Sequence, residues 1–438
     1  MRPWLSALLL AACLLPLDGQ DRPRTEVELA AKSAGKLVAA VPPPQVEPPP
    51  ARQPAVDEAA VGRDFHEVLV RDLDLSGPFA VLRSAKSPKA TDPASYKAWA
   101  DTGTEWLIAT RVSRTAGDQL MVSLQVVDPR AGKPIHSKNF SGQDSALRRI
   151  AHAVADDLVA RLTGERGVAS SRIVFVKQVS REVKEIFQVD PDGVGQIQLT
   201  RHGSLTMSPT VAQDGRLAYI TYKGGAPEIW GQKRSGTPHV KLYPVGTQPL
   251  GQCSAPAWSP DGKRLAFVQS DRRGNSDIMV LDLEGGRVRR LTDSNCINTE
   301  PSWNPAGTQI AFTSDREGTP QIYLMEDDGS NVRRLTTEGS YNASPAWSPN
   351  GVMVSYVSRF EGKFDLFVFK LGEGKAYQIT TGLVSSESPA WSPDERKLVF
   401  VSTRNGGMQL FTTDLSGSQI KKVMESTGCQ SPRWTRSR

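Results

Sequence analysis

The chain has 438 residues, 38% hydrophobic and 23% charged, with 37 glycines and 31 prolines, enough apolar material for real cores and more turn formers than a helical protein carries. Its 53 Lys and Arg against 47 Asp and Glu leave a formal net charge of only +6, spread without a long basic block, which excludes charge-driven nucleic-acid binding. Five scattered histidines and four cysteines form no HExxH, HxH or CxxC, so no metal and no other cofactor is expected.

The chain opens on an apolar run, Trp4–Leu17, behind Arg2 and ahead of the polar stretch Asp18–Thr25. A basic start and a run too short to span a bilayer read as a secretory signal over residues 1–20. Leu10-Ala11-Ala12-Cys13 resembles a bacterial lipoprotein box, yet the apolar run continues past Cys13 to Leu17. Two outcomes stay open, lipid attachment at Cys13 or simple cleavage near Gly19–Gln20. Either way the protein is exported.

Residues 21–165 read as an α/β domain. Lys36–Val41 is a buried-strand candidate that runs into PPPQVEPPP (Pro42–Pro50), an extended loop because proline fixes φ and lacks an amide donor. Phe65, Val68, Leu69 and Leu73 follow helical spacing behind Asp57 and Glu58. Glu105–Val112 and Gln119–Val127 read as strands, with Leu120, Val122, Leu124 and Val126 alternating. Asp144–Leu162 carries an apolar stripe through Ile150, Val154 and Leu158, with Asp144 as candidate N-cap and Gly164 as stop.

Over residues 171–438 the chain repeats itself. Ser-Pro-x-Trp or a near variant recurs around Pro209, Pro256, Pro301, Pro345, Pro389 and Pro432, a period in the mid-forties. Each phrase reads as an inner strand followed by a turn such as Ser259-Pro260-Asp261-Gly262, then a strand of the Leu265–Val268 type. A third strand and a fourth ending in Arg-Leu-Thr (Arg290–Thr292, Arg334–Thr336) complete a four-stranded unit. The first second-type strand, Ile173–Val176, has no Ser-Pro-x-Trp before it, and the last phrase, Ser431–Trp434, has no strand after it. The expected fold is therefore an all-β six-bladed β-propeller closed by its C-terminal strand, behind the α/β domain. The recurrent tryptophans are expected to pack between blades. Cys253 and Cys296 sit at corresponding places of consecutive blades, and either a disulfide or free thiols fits the spacing.

The phrase APAWSPDG…LAFVQS (Ala255–Ser270) with its Arg-Leu-Thr strand resembles the TolB family, the periplasmic component of the Tol–Pal envelope system of Gram-negative bacteria. The blade NTEPSWNPAGTQIAFTSDREGTPQIYLMEDDGSNVRRL (Asn298–Leu335) is similar to the family pattern throughout, and the order of signal, α/β domain and propeller agrees. The resemblance implies a monomeric, non-enzymatic periplasmic adaptor that supports outer-membrane integrity and constriction at division. It implies a Pal-like peptidoglycan-associated lipoprotein at one mouth of the propeller. A TolA-like inner-membrane protein would engage the arm Asp21–Gly35. By motif match, Asn298, Thr299 and Glu300 are the expected partner-binding residues, with Gln252, Ser254, Asn342 and Glu387 at analogous loop positions. The Pro42–Pro50 loop departs from the family pattern. The competing enzyme class, a propeller-linked hydrolase, needs a G-x-S-x-G elbow, and none occurs. An exported propeller that binds a glycan or another envelope protein remains the alternative.

Overall fold

The computed structural model describes residues 35–47, 57–83, 92–115, 119–244, 251–293, 295–360, 362–382 and 384–436. The signal segment, Cys13 and nearly all of the Asp21–Gly35 arm lie outside them. Among the described residues no helix is long and apolar enough to cross a membrane. The described residues divide into two compact units, one within residues 35–63 and 77–141 and another within 64–76 and 142–436.

The first unit is built on one sheet of β1 (Leu37–Ala40), β2 (Gln45–Val46), β3 (Phe79–Leu82), β4 (Trp106–Arg114), β5 (Leu120–Asp128) and β6 (Lys133–Gly142). Its order is β3-β1-β4-β5-β6, with β2 paired to β4. The expected strand at residues 36–41 is β1, and it pairs in parallel with β3 and β4. A parallel pair needs a crossover, supplied between β1 and β3 by helix α1 (Glu58–Ser76). Asp57 caps that helix, its carboxylate accepting from Ala60 N at 3.0 Å, as the acidic start suggested. The proline-rich stretch is not wholly loop: Gln45 and Val46 pair with Arg111 and Val112, because the residues between prolines keep their donors. Ala40, Tyr96, Trp99, Leu107, Ala109 and Val127 form one buried cluster of this unit.

In the second unit, Asp144 does not cap the following helix. One 3-10 turn (Asp144–Ala146) leads into the helix, which runs Leu147–Thr163 and ends at left-handed Gly164. His152 on this helix is buried between two carboxylates, Nδ1 to Asp72 of α1 at 2.6 Å and Nε2 to Asp190 at 3.0 Å. Asp190 also takes Arg148 and Arg172, both at 3.0 Å, while Arg148 reaches Asp192 at 2.8 Å. This network ties both helices to the turn after the strand Lys184–Val189.

The remainder is six four-stranded antiparallel sheets. Blade 1 consists of β7 (Ile173–Gln178), β8 (Lys184–Val189), β9 (Ile197–Gln198) and, inside them, Cys429–Trp434. That closing strand pairs Trp434 with Ile173 and Gln430 with Val176, as the offset count required. Blades 2 to 6 begin at Thr206, Cys253, Asn298, Asn342 and Ser386, and their inner strands with Cys429–Trp434 of blade 1 contact one another in a closed cycle of six.

Arg-Leu-Thr has a role the repeat alone did not disclose. The fourth strand ends at its Arg or Gln, and the threonine then folds back as a clasp. Thr292 Oγ1 accepts from Ile278 N and donates to Asp277; Thr200, Thr336 and Thr380 do the same toward Glu185, Gln321 and Asp365. The tryptophans pack between blades: Trp303 lies with Ile278, Val280 and Leu291 of blade 3 and with Ile310 and Phe312 of its own. Trp303→Ala is expected to destabilise the protein by about 3–5 kcal/mol in urea unfolding, the range for emptying a buried aromatic site. A cost below ~1 kcal/mol would assign this tryptophan to the surface.

Candidate functional site: the propeller channel and its mouth

The inner strand of every blade is the edge strand of its sheet, so a proline lacking its N–H is tolerated there. Around that proline each inner strand loses register with its neighbour, a bulge repeated in all six blades. The residue before the proline is left-handed each time: Ser208, Ala255, Glu300, Ser344, Ser388 and Ser431 have φ between 45° and 56°. Non-glycine residues held there cost on the order of 1 kcal/mol each. The bulges bring this third residue and the fifth of each inner strand to one central cavity of about 340 Å³.

The first residue of each strand points elsewhere. Thr206, Cys253, Asn298, Asn342, Ser386 and Cys429 are all buried within the blades. Asn298 donates to Ser276 O and accepts from Ser314 Oγ and Arg316, both at 2.9 Å. Asn342 donates to Gln321 and to Glu338 O, each at 2.7 Å. Two of the seven expected partner-binding residues thus have no exposed surface.

The others divide by strand position. Ser254, Thr299 and Glu387 are second residues, half-buried, and Gln252 is exposed in the loop before its strand. Burial pushes the Glu387 carboxyl up. Glu300 is a third residue and lines the cavity, turned toward blade 5. Its carboxylate accepts from Ser344 N at 2.7 Å, Ser344 Oγ at 2.8 Å and Thr313 Oγ1 at 2.9 Å. Glu300 and Glu387 both lie near Tyr341, whose hydroxyl is pushed up by burial first and by those carboxylates second. Glu300 therefore joins two blades across the channel wall, while Ser254, Thr299 and Glu387 stand one residue nearer the mouth on their strands.

Cys253, Cys296 and Cys429 are free thiols, so the disulfide option is not realised. Burial pushes Cys253 and Cys429 up to about 12, which keeps both protonated. Among the described residues no cluster of His, Cys, Asp and Glu could hold a metal ion. The sequence reading passed over Arg433, the fifth residue of the closing strand, which also lines the cavity. The signal was available, since the same place in the other blades holds Thr210, Ala257, Ser302, Ala346 and Ala390.

Two family models match the chain, the TolB amino-terminal domain over residues 26–135 and the TolB beta propeller domain over residues 159–437. A Tol-Pal system protein TolB of Anaeromyxobacter dehalogenans is 36% identical over 259 residues, 56% of this chain and 57% of the relative. A protein TolB homolog of Chlorobium luteolum is 34% identical over 238 residues, 54% of this chain and 52% of that one. The match thus spans little more than half the length of these curated relatives. The crystal structure of TolB from Acinetobacter baumannii superposes with a TM-score of 0.75 at 25% identity, covering 91% of this chain and 96% of that one.

Proposed function

Because the chain belongs to the TolB family, we propose that it is a non-enzymatic periplasmic adaptor of the Tol–Pal system. In this reading a Pal-like lipoprotein docks on the mouth through Gln252, Ser254, Thr299 and Glu387. Asn298, Asn342 and Glu300 act beneath them, holding the strand starts and joining neighbouring blades. A TolA-like protein engages the arm at residues 21–35, ahead of an N-terminal domain to residue 165 and a propeller from 171. The adaptor supports outer-membrane integrity and constriction at division.

The observation that carries the reading is the mouth itself: four of the six bulged inner strands present a polar second residue, Ser254, Thr299, Glu387 and Gln430, with Met207 and Ala343 on the other two. A rigid ring loses little conformational entropy when a partner settles on it. The competing hydrolase class finds no support in the cavity, whose two charged residues are a carboxylate committed to neighbouring donors and a guanidinium.

Calorimetric titration of the mature protein with the periplasmic domain of a Pal-like lipoprotein is the test. The expected result is saturable one-to-one binding that Thr299→Arg weakens about tenfold or more, as truncating or blocking a central contact does. No heat from the folded wild type would set the reading aside in favour of a glycan or another envelope protein.

A further inference from the structure

The channel is not chemically symmetric. Its fifth-residue places are small in five blades, whereas blade 1 puts Arg433 there. Nη1 of Arg433 donates to Pro432 O at 2.8 Å, its one hydrogen bond among the described residues. No described carboxylate lies within 4.0 Å of its guanidinium. Glu300 belongs to blade 4, three blades away around a ring of six and so on the opposite wall, and its oxygens are engaged by Ser344 and Thr313.

The hydroxyls of the left-handed ring follow the same asymmetry. Ser431 is in blade 1, and Ser388 and Ser208 are in blades 6 and 2, its two neighbours. Among the described residues none of these three hydroxyls bonds to another protein group. On the far side, Ser344 is spent on Glu300, and blade 3 carries Ala255. One half of the wall therefore combines a five-donor cation with three uncommitted hydroxyls, and the other half is self-satisfied.

We propose that this half of the channel is a binding site for a small oxyanion, a carboxylate or a phosphate, clamped by the Arg433 fork and the hydroxyls of Ser208, Ser388 and Ser431. Charges withdrawn from bulk water are kept in proteins by a counter-ion, and a guanidinium matches the paired oxygens of these two groups. Burial presses Arg433 below its ordinary pKa, with Glu300 opposing, so the site gains from an anion closer than that carboxylate. The cavity of about 340 Å³ admits a molecule of this size with its water. The site does not depend on the adaptor reading, because no mouth residue takes part in it.

The test measures thermal unfolding and binding heat for the full mature chain at constant ionic strength. Inorganic phosphate and succinate are titrated separately, with chloride as the balancing salt. The wild type should show a saturable rise in Tm and one site per chain with at least one of the two. The oxyanion that saturates assigns the source.

Arg433→Ala installs the residue that blades 3, 5 and 6 carry at that place. It should fold, with a Tm no lower than wild type in chloride, and bind the oxyanion about tenfold or more weakly, the effect of losing charge-assisted hydrogen bonds. Arg433→Gln, which keeps a polar end with two N–H donors on a shorter, uncharged side chain, is the second variant and should lose most of the response as well. Equal responses from the wild type and a folded Arg433 variant, or no saturable response from the wild type to either oxyanion, would overturn the proposal.

Discussion

His152→Ala is expected to destabilise the protein by about 3–5 kcal/mol, the cost of removing one partner from a buried ionic set. The change leaves Asp72, whose carboxyl burial already pushes up, without its histidine and near the carboxylates of Asp192 and Asp156, and removes one of the groups that offset burial at Asp190. Burial by itself would depress the His152 pKa, but its hydrogen bonds to Asp190 and Asp72 outweigh that and raise it to about 9. Asp190 is likewise pulled up by burial and brought below its ordinary value by His152 and Arg172. A histidine whose folded pKa is raised stabilises the folded state fully below its unfolded pKa of about 6.5, and that contribution disappears as pH climbs through about 9. Urea unfolding of the wild type should therefore lose stability between pH 7 and 10, while His152→Ala shows a flatter profile over the same window. Parallel profiles for the two proteins would mean that His152 is neutral in the fold.

Truncation after Gly428 is the second large expected effect. It removes the inner strand of blade 1, the ladder to Ile173–Lys177, and the Trp434 indole donor to Ser171 Oγ at 2.7 Å. β7 then becomes an unpaired inner edge of the propeller ring, the condition that templates aggregation. The expected outcome is insoluble protein, or a soluble one whose Tm falls on the order of 10 °C, judged from several kcal/mol lost in a chain of this size. Circular dichroism melts of both lengths decide it. An unchanged Tm would show that the ring is held by its other five inner strands alone.

Much of the fold was legible because each blade is a local unit. The period, the strand order within a blade, and the strand missing from blade 1 are statements about one repeat and its offset. The tryptophan packing followed from recurrence at one repeat position. The site was less legible. Asn298 and Asn342 occupy places where partner contact was expected, but a strand start alternates inward before the bulge, and both side chains are buried. The bulge then breaks the alternation, so that the first residue is buried in the blade while the third and fifth, which an unbroken period of two would place with it, line the channel. Glu300 was expected to bind a partner by motif match, yet the donors it meets in this chain are Thr313 and a residue 44 positions on, which only the ring brings near. The Asp72–His152–Asp190 set spans separations of 80 and 38 residues and belongs to no motif.

The strand that completes blade 1 has a consequence in time. Residues 429–434 are synthesised after every other strand of the ring, while their partner β7 begins at residue 173. Blades 2 to 6 can each assemble from contiguous sequence as it emerges. Blade 1 must wait with three strands through the synthesis of all the others, its inner edge open. Ring closure is thus the longest-range contact of the propeller and carries its largest loop-closure entropy. A nascent chain halted before residue 429 presents that open edge to whatever stands nearby, and a chain released after it does not.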